Sequence, residues 1–492
     1  MGVKLRAGLG VLLLVGFFVL VLGLIGGMLF VAVLGLTTGH AGGGLRVGAI
    51  AVFASIAIGT ALWKVLKIKQ EPYGARVERA EQPELWAMID ELAVAANTRG
   101  PDDVRIVPKV NAAVWEESHL LGLRSGKRHM MIGLPLLAGL SVSELRSVLG
   151  HELGHYSHGH TKLSAVTYRA TATMQRTLAA ADGWLRVLLT PYVKLYLVVA
   201  RSANRAQELQ ADAVAVRAAG KEAAKSALGK INALDAAWSH YGDSYVRLAP
   251  EAGRTPELLM GFHAFLCNDV RHAQLLEAQE SLLDSEPSSR YDSHPTMRVR
   301  IAAIDKLTGD GPATDDRPAW SVLRDPARTV PELESELIVD GLGPRASWTE
   351  VVQLGTTNIA RNNAKVLTDS SVKRGIVPTG SVDEILGVVE RGKTEQLMAL
   401  VDGAATHAQR REVVARLIAD LIAVSLIDAG KASFELDWSD TWVLRLAGGA
   451  QINLTPMVDA AIRHPTKVTP LLDWLREARD VDGHLQSGGV TS

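Results

Sequence analysis

Four histidines of this 492-residue chain fall within ten positions, inside Leu149 to His160 (LGHELGHYSHGH). His151, Glu152 and His155 among them spell HExxH. Side chains four apart share one face of a helix, a turn from each other, so both imidazoles can reach one zinc ion while Glu152 projects beside them as a base. The residues before the motif call for that helix. Ser141 and Glu144 form a capping box, and Leu145, Val148 and Leu149 give an apolar face leading into His151.

HExxH recurs in unrelated proteins, so its weight depends on a third ligand. Catalytic zinc takes three protein ligands and keeps one position open. A third histidine at metzincin spacing would need glycine at 158 and histidine at 161, where this chain has His158 and Thr161. Glu208, in the helical run RSANRAQELQADA from Arg201 to Ala213, is the better candidate. Asp212 lies one turn further on, where it can accept a hydrogen bond from a ligand histidine and fix its tautomer. The alternative for this acidic pair is a solvated helix face. His263, Cys267 and His272 are spaced too unevenly on one helix face for a second metal site, and the lone cysteine on an apolar helix reads as core.

These residues need elements to position them, and the chain begins with apolar ones. Ala7 to Leu36 contains only Ala, Gly, Val, Leu, Ile, Phe and Met, and Val47 to Trp63 is a second uncharged run. The first would make a helix of about 45 Å against a hydrocarbon core of roughly 30 Å. The two are expected to form a transmembrane helical hairpin over residues 1–69, with spans at about 7–36 and 47–63 and a turn at 37–46. A cleaved signal peptide has an apolar region of only about 7–15 residues. Gly23 and Gly27 on one helix, and Ala51, Ser55 and Gly59 on the other, are expected at their contact. Lys4, Arg6, Lys64, Lys67 and Lys69 flank the hairpin while Arg46 alone sits in its turn, which places both ends in the cytoplasm. The remainder is then a cytoplasm-facing part of an integral membrane protein. Arginine in excess over lysine, 35 to 17, points to a bacterial plasma membrane.

Composition closes off other classes. A net charge of -1 argues against nucleic-acid binding by a basic surface. The single cysteine excludes an internal disulfide and a cysteine-rich zinc module. A mean hydropathy of +0.12 is high for 21% charged residues, and the apolar start accounts for it.

Beyond Lys69 the pattern predicts a helix at Pro83 to Asn97 and strands at Val104 to Val110, Ala112 to Glu116 and Arg128 to Leu134. The fold class is mainly α with a small β-sheet. Gly183 to Ala200 is apolar but carries Arg186, Pro191 and Lys194, and it is expected as an interfacial or buried helix rather than a third span. Residues 308–331 are dense in Gly, Pro and Asp and read as a linker. Residues 332–492 read as a C-terminal α+β region with a hairpin from Ser433–Trp438 and Thr441–Leu446. The Asn453-Leu454-Thr455 sequon carries no meaning in a cytoplasmic region.

Taken in order, GLPLLAGLSVSELRSVLGHELGHYSHGH from Gly133, the acids Glu208 and Asp212, and DSHPTMRVRI with His294, Pro295 and Arg300 resemble a known family. It is that of the membrane-bound gluzincin peptidases, which includes HtpX and the CAAX prenyl proteases. The resemblance runs over roughly residues 70–305 and takes in Asn111-Ala112; it departs from the family at Ala113-Val114, where an aromatic is common. It implies a gluzincin peptidase domain over residues 70–307 that holds one zinc per chain and hydrolyses membrane or misfolded proteins. His151, His155 and Glu208 would hold the zinc, which acidifies a water and polarises the scissile carbonyl, with Asp212 behind them and Glu152 as base. It also implies that His294 stands near the developing oxyanion and that Asn111 and Arg300 bind substrate. Two other readings are a prenyl-protein processing protease and a non-catalytic membrane scaffold. The lipid bilayer and protein or peptide substrates are the partners expected, and the sequence is silent on oligomeric state.

Overall fold

The apolar start of the chain folds into two helices. A computed structural model describes residues 3–38, 40–66, 71–119, 124–156, 174, 178, 183–285, 295–309, 311–338, 342–401 and 404–480. In it α1 (Val3–Thr37) is followed by α2 (Ala41–Leu66). Among the described residues one stretch, Gly8–Thr37, is long and apolar enough to cross a bilayer. The connection is shorter than expected because AGGGLR belongs to α2, with the Gly43 and Gly44 N–H groups donating to the His40 carbonyl at 3.1 Å. Close contact between the helices also lies elsewhere than Gly23 and Gly27, beside which a Cβ would find nothing within 4 Å. It is made next to the turn, where a Cβ on Gly35 would stand 3.0 Å from the Gly44 Cα.

The polar part starts with a four-stranded sheet in the order β1-β2-β4-β3. Its strands are β1 (Ala75–Arg76), β2 (Asp103–Val107), β3 (Ala112–His119) and β4 (Arg124–Gly133). β4 pairs parallel with β2 and antiparallel with β3, which leaves β3 at an edge. Between β1 and β2 runs α3 (Pro83–Ala95), which buries Leu85, Met88, Ile89 and Leu92 at the predicted helical spacing. After β4 come α4 (Leu134–Gly139), α5 (Val142–Gly154), α6 (Gly183–Ala219), α7 (Lys221–Tyr241), α8 (Met297–Asp305) and α9 (Pro326–Leu337).

α6 has 37 residues, a length of about 55 Å. Its first half lies against α1, where Leu189, Val193, Tyr196 and Ala200 share a core with Phe17 and Val21. Tyr192 Oη donates to the Leu13 carbonyl at 2.6 Å. On the face away from that core, Val187 and Leu195 are exposed.

Residues 308–331, expected as a linker, hold the start of α5. The N–H groups of Val142 and Ser143, which have no partner within their own helix, donate to the carbonyls of Arg317 (2.8 Å) and Asp315 (3.1 Å). Ala319, Val322 and Leu323 are buried behind this strap.

The chain divides into two compact units, Met1–Ala236 with Leu275–Leu337, and Ala237–Gln274 with Ile338–Ser492. In the second, helices Trp348–Lys373 and His407–Asp428 pack on a three-stranded sheet, and Leu454–Arg463 and Val468–Asp480 contribute to the same core. That sheet contains the predicted hairpin, Ala432–Asp437 paired with Thr441–Leu446. Residues 237–274 belong to this unit through aromatic packing. Tyr241 stands 5.3 Å from Trp348 and Tyr245 stands 4.9 Å from Trp438 between ring centroids, and Tyr245 Oη donates to the Asp437 carbonyl at 2.7 Å.

Candidate active site

The site is built where α5 crosses α6. Ser141 caps α5 as predicted, with its side chain accepting from the Glu144 N–H and Glu144 reaching back to the Ser141 N–H. His151 and Glu152 occupy the last turn of α5, and His155 is its C-cap. The crossing is close because two glycines face alanines. A Cβ on Gly150 would stand 2.9 Å from the Ala218 Cβ, and one on Gly154 would stand 3.0 Å from the Ala211 Cα. This approach lets Glu208, three residues before Ala211, reach the histidines.

Three potential ligand groups converge there. The Nε2 atoms of His151 and His155 are 3.2 Å apart. Glu208 oxygens lie 3.4 Å from the first and 3.7 Å from the second. Four-coordinate zinc with bonds of about 2.0–2.1 Å sets its ligand atoms about 3.3–3.4 Å apart, so the donor set and its spacing fit that ion. Among the described residues this is the one such group of His, Cys, Asp and Glu. Cys267, expected in the core, is instead exposed, with His263 Nε2 3.7 Å from its Sγ.

Glu208 and Asp212 are not a solvated face, since they are only 5% and 3% exposed. Buried carboxylates need partners. Asp212 Oδ1 lies 3.0 Å from His151 Nδ1, the arrangement in which Nδ1–H donates and Nε2 is left to bind a metal. Burial works against charge on His151. Hydrogen bonds to Asp212 and Glu208 and the nearby Glu152 charge outweigh it and push this histidine up to about 9 among protein groups alone. Burial likewise raises Asp212, yet its bonds from Arg300 and His151 hold it below the ordinary carboxylate value.

Comparison with known proteins gives the same residues a family. Residues 79–308 match the sequence profile of Peptidase family M48. A protease HtpX homolog of Pyrobaculum islandicum is 31% identical over 269 residues, which cover 48% of this chain and 70% of that protein. The chain belongs to peptidase family M48. The protease HtpX homologs of Pyrobaculum aerophilum (30% over 263 residues, 48% of this chain and 70% of that protein) and Pseudarthrobacter chlorophenolicus (26% over 288 residues, 54% and 89%) are further relatives. No solved structure is significantly similar to the chain.

The M48 match encloses every catalytic, ligand and substrate-binding residue named from the sequence and leaves 1–78 and 309–492 outside it. Within it Arg300 is placed differently from expectation. Its guanidinium is engaged by Asp212 at 2.9 and 2.5 Å and lies 3.3 Å from His151 Nδ1. It therefore stands behind the ligands. Asn111 sits exposed at the head of the edge strand β3. His294, like His158 and His160, lies outside the described residues.

Two features of this M48 site escape the sequence reading. One is the glycine–alanine crossing. The other is Tyr156, whose Oη donates to the Val114 carbonyl at 2.9 Å and whose ring lies 4.6 Å under the Arg128 guanidinium. Burial pushes this phenol up to about 12, so it remains a donor that ties the end of α5 to β3. Its place directly after His155 was the available signal.

Proposed function

We propose that this M48 peptidase is a zinc-dependent endopeptidase anchored in a bilayer, with its peptidase unit on the cytoplasmic side, acting on membrane or misfolded proteins. The observation that carries the reading is the convergence of His151, His155 and Glu208 with Glu152 on the same helical turn. Zinc held by those three residues supplies a Lewis acid for the scissile carbonyl and acidifies a water molecule. Glu152 takes the proton of the attacking water and delivers it to the leaving amine. Asp212 keeps His151 in the tautomer whose Nε2 faces the ligand triangle. Asn111 at the free edge of β3 meets the extended substrate, and His294 donates to the developing oxyanion.

Elemental analysis of the purified protein, paired with cleavage of an unfolded protein, tests the reading. About one zinc per chain is expected. Equal cleavage by a preparation stripped of metal overturns it.

The bilayer part rests on α1 and on the first half of α6. If α1 crosses a membrane, the α6 residues packed along it are immersed with it. Leu13 lies about 15 Å along α1 from Val3, and Tyr192 about 12 Å along α6 before Ala200, so their contact suits two helices leaving the same membrane face. We therefore place 183–200 in the bilayer beside α1, with Arg186 and Lys194 extended towards the interfaces. Single cysteines in a Cys267→Ser background check this. In membrane vesicles with cytoplasmic faces exposed, a water-soluble maleimide is expected to label residue 94 and to miss 187 and 195 until detergent is added. Equal labelling at all three sinks the placement.

A further inference from the structure

We infer that Arg300 is a positioning residue of the metal site, which acts through Asp212 on His151 and does not bind substrate. The inference rests on the reading of His151, His155 and Glu208 as zinc ligands. α8 begins with Thr296 as its cap, the hydroxyl accepting from the Val299 N–H, and it is anchored by Ile304 in a core with Ala215, Val216 and Ala224. This fixes Arg300 against α6. Nε and Nη2 donate to the two oxygens of Asp212 at 2.9 and 2.5 Å, a bidentate pair, while Nη1 lies 3.8 Å from a Glu208 oxygen.

The side chain is 14% exposed, and its donors are directed at protein carboxylates rather than at solvent. An arginine that gripped substrate would present its fork outward. The Asp212 carboxylate is also the acceptor 3.0 Å from His151 Nδ1, and Arg300 Nη2 stands 3.3 Å from the same nitrogen. Guanidinium can only donate, so left to itself it would favour the tautomer with Nδ1 bare and the proton on Nε2, which blocks metal binding. Because both Nε and Nη2 are committed to Asp212, the carboxylate is held in one orientation, and Oδ1 accepts the hydrogen bond from Nδ1–H. Without the guanidinium, Asp212 would be a buried and uncompensated charge, free to turn away from Nδ1 and towards the metal position. The bidentate fork matters as much as the charge, and lysine offers only the latter.

Zinc affinity measured by competition with a chromogenic chelator reads this directly, alongside kcat and KM for a peptide at saturating zinc. Arg300→Gln is expected to weaken zinc binding by about 10–100-fold, as loss of partners behind metal-bound histidines does. Arg300→Lys should recover part of the loss. KM should stay within about twofold of the parent, because the substrate is not touched. The Arg300→Gln/Asp212→Asn pair should be no worse than the worse single variant, since both act through one bond. Unchanged zinc affinity with a raised KM overturns the inference and returns Arg300 to substrate binding. Additive losses in the double variant overturn it too. A parent protein that binds no zinc overturns the reading of the site itself, which distinguishes the two failures. Arg300→Lys keeps the buried charge and so serves where the glutamine variant does not fold.

Discussion

Glu152→Gln is expected to lower kcat by about 10²–10⁴-fold while leaving one zinc per chain and the thermal midpoint close to the parent values. The glutamate lies beside the ligand triangle without belonging to it. His151, His155 and Glu208 supply the three converging groups, whereas the Glu152 charge acts on its neighbours His151, Tyr156 and Arg300. Glutamine matches it in size and keeps the helix, but an amide cannot accept the proton of water. The change thus removes proton transfer and little else. Rates at saturating substrate, with zinc determined in the same samples, check it. A variant that keeps its zinc and loses less than about tenfold would mean that another group is the base. The same variant, binding without cleaving, is a means of retaining substrates in membranes.

Much of the candidate site could be read from the sequence because the groups that converge in it are set by helical period. The four-residue step of HExxH and that from Glu208 to Asp212 each put two side chains on one face, and each falls in the helix its neighbours predict. Ser141 and Glu144 form the predicted box. The hairpin at 432–446 was equally plain, since alternation survives in both strands around Ser439 and Asp440.

What was not legible depends on contacts between distant segments. Arg300 lies 88 residues from Asp212, and nothing local distinguishes an arginine that holds a carboxylate from one that holds a substrate. Residues 308–331 have the composition of a linker, yet their carbonyls answer the bare N–H groups of α5. That demand belongs to the partner helix, not to the segment itself. For 183–200, composition weighed the cost of two cations against immersion, while the apolar surface of α1 that covers one face of this helix appears only in the fold.

Gly154→Val should abolish stoichiometric zinc binding and reduce hydrolysis to background while the protein remains folded at 25 °C. The ideal Cβ at 154 would stand 3.0 Å from the Ala211 Cα, 3.1 Å from the Val214 Cβ and 3.2 Å from its Cγ2. Alanine meets these contacts at their limit, and it gains up to about 1 kcal/mol of helix propensity over glycine. Gly154→Ala is therefore expected to be mild. Valine adds two carbons beyond that Cβ, and a backbone atom of α6 cannot rotate out of their way. The helices must part, at a cost of about 1–3 kcal/mol for overpacking, or roughly 2–4 °C of thermal midpoint per kcal/mol in a unit of this size. Stability tolerates that. The ligand triangle does not, because Glu208 moves with Ala211, and a shift of about 1 Å exceeds the tolerance of a bond near 2 Å. Val214→Ala removes the Cγ2 contact but leaves the Cβ at 3.1 Å, so it relieves one of the three contacts and should restore part of the zinc to Gly154→Ala wherever that variant has lost it. It should do little for Gly154→Val, whose clash is with the α6 backbone. Full zinc occupancy in Gly154→Val would show that the glycine–alanine crossing does not set the distance between the two halves of the site.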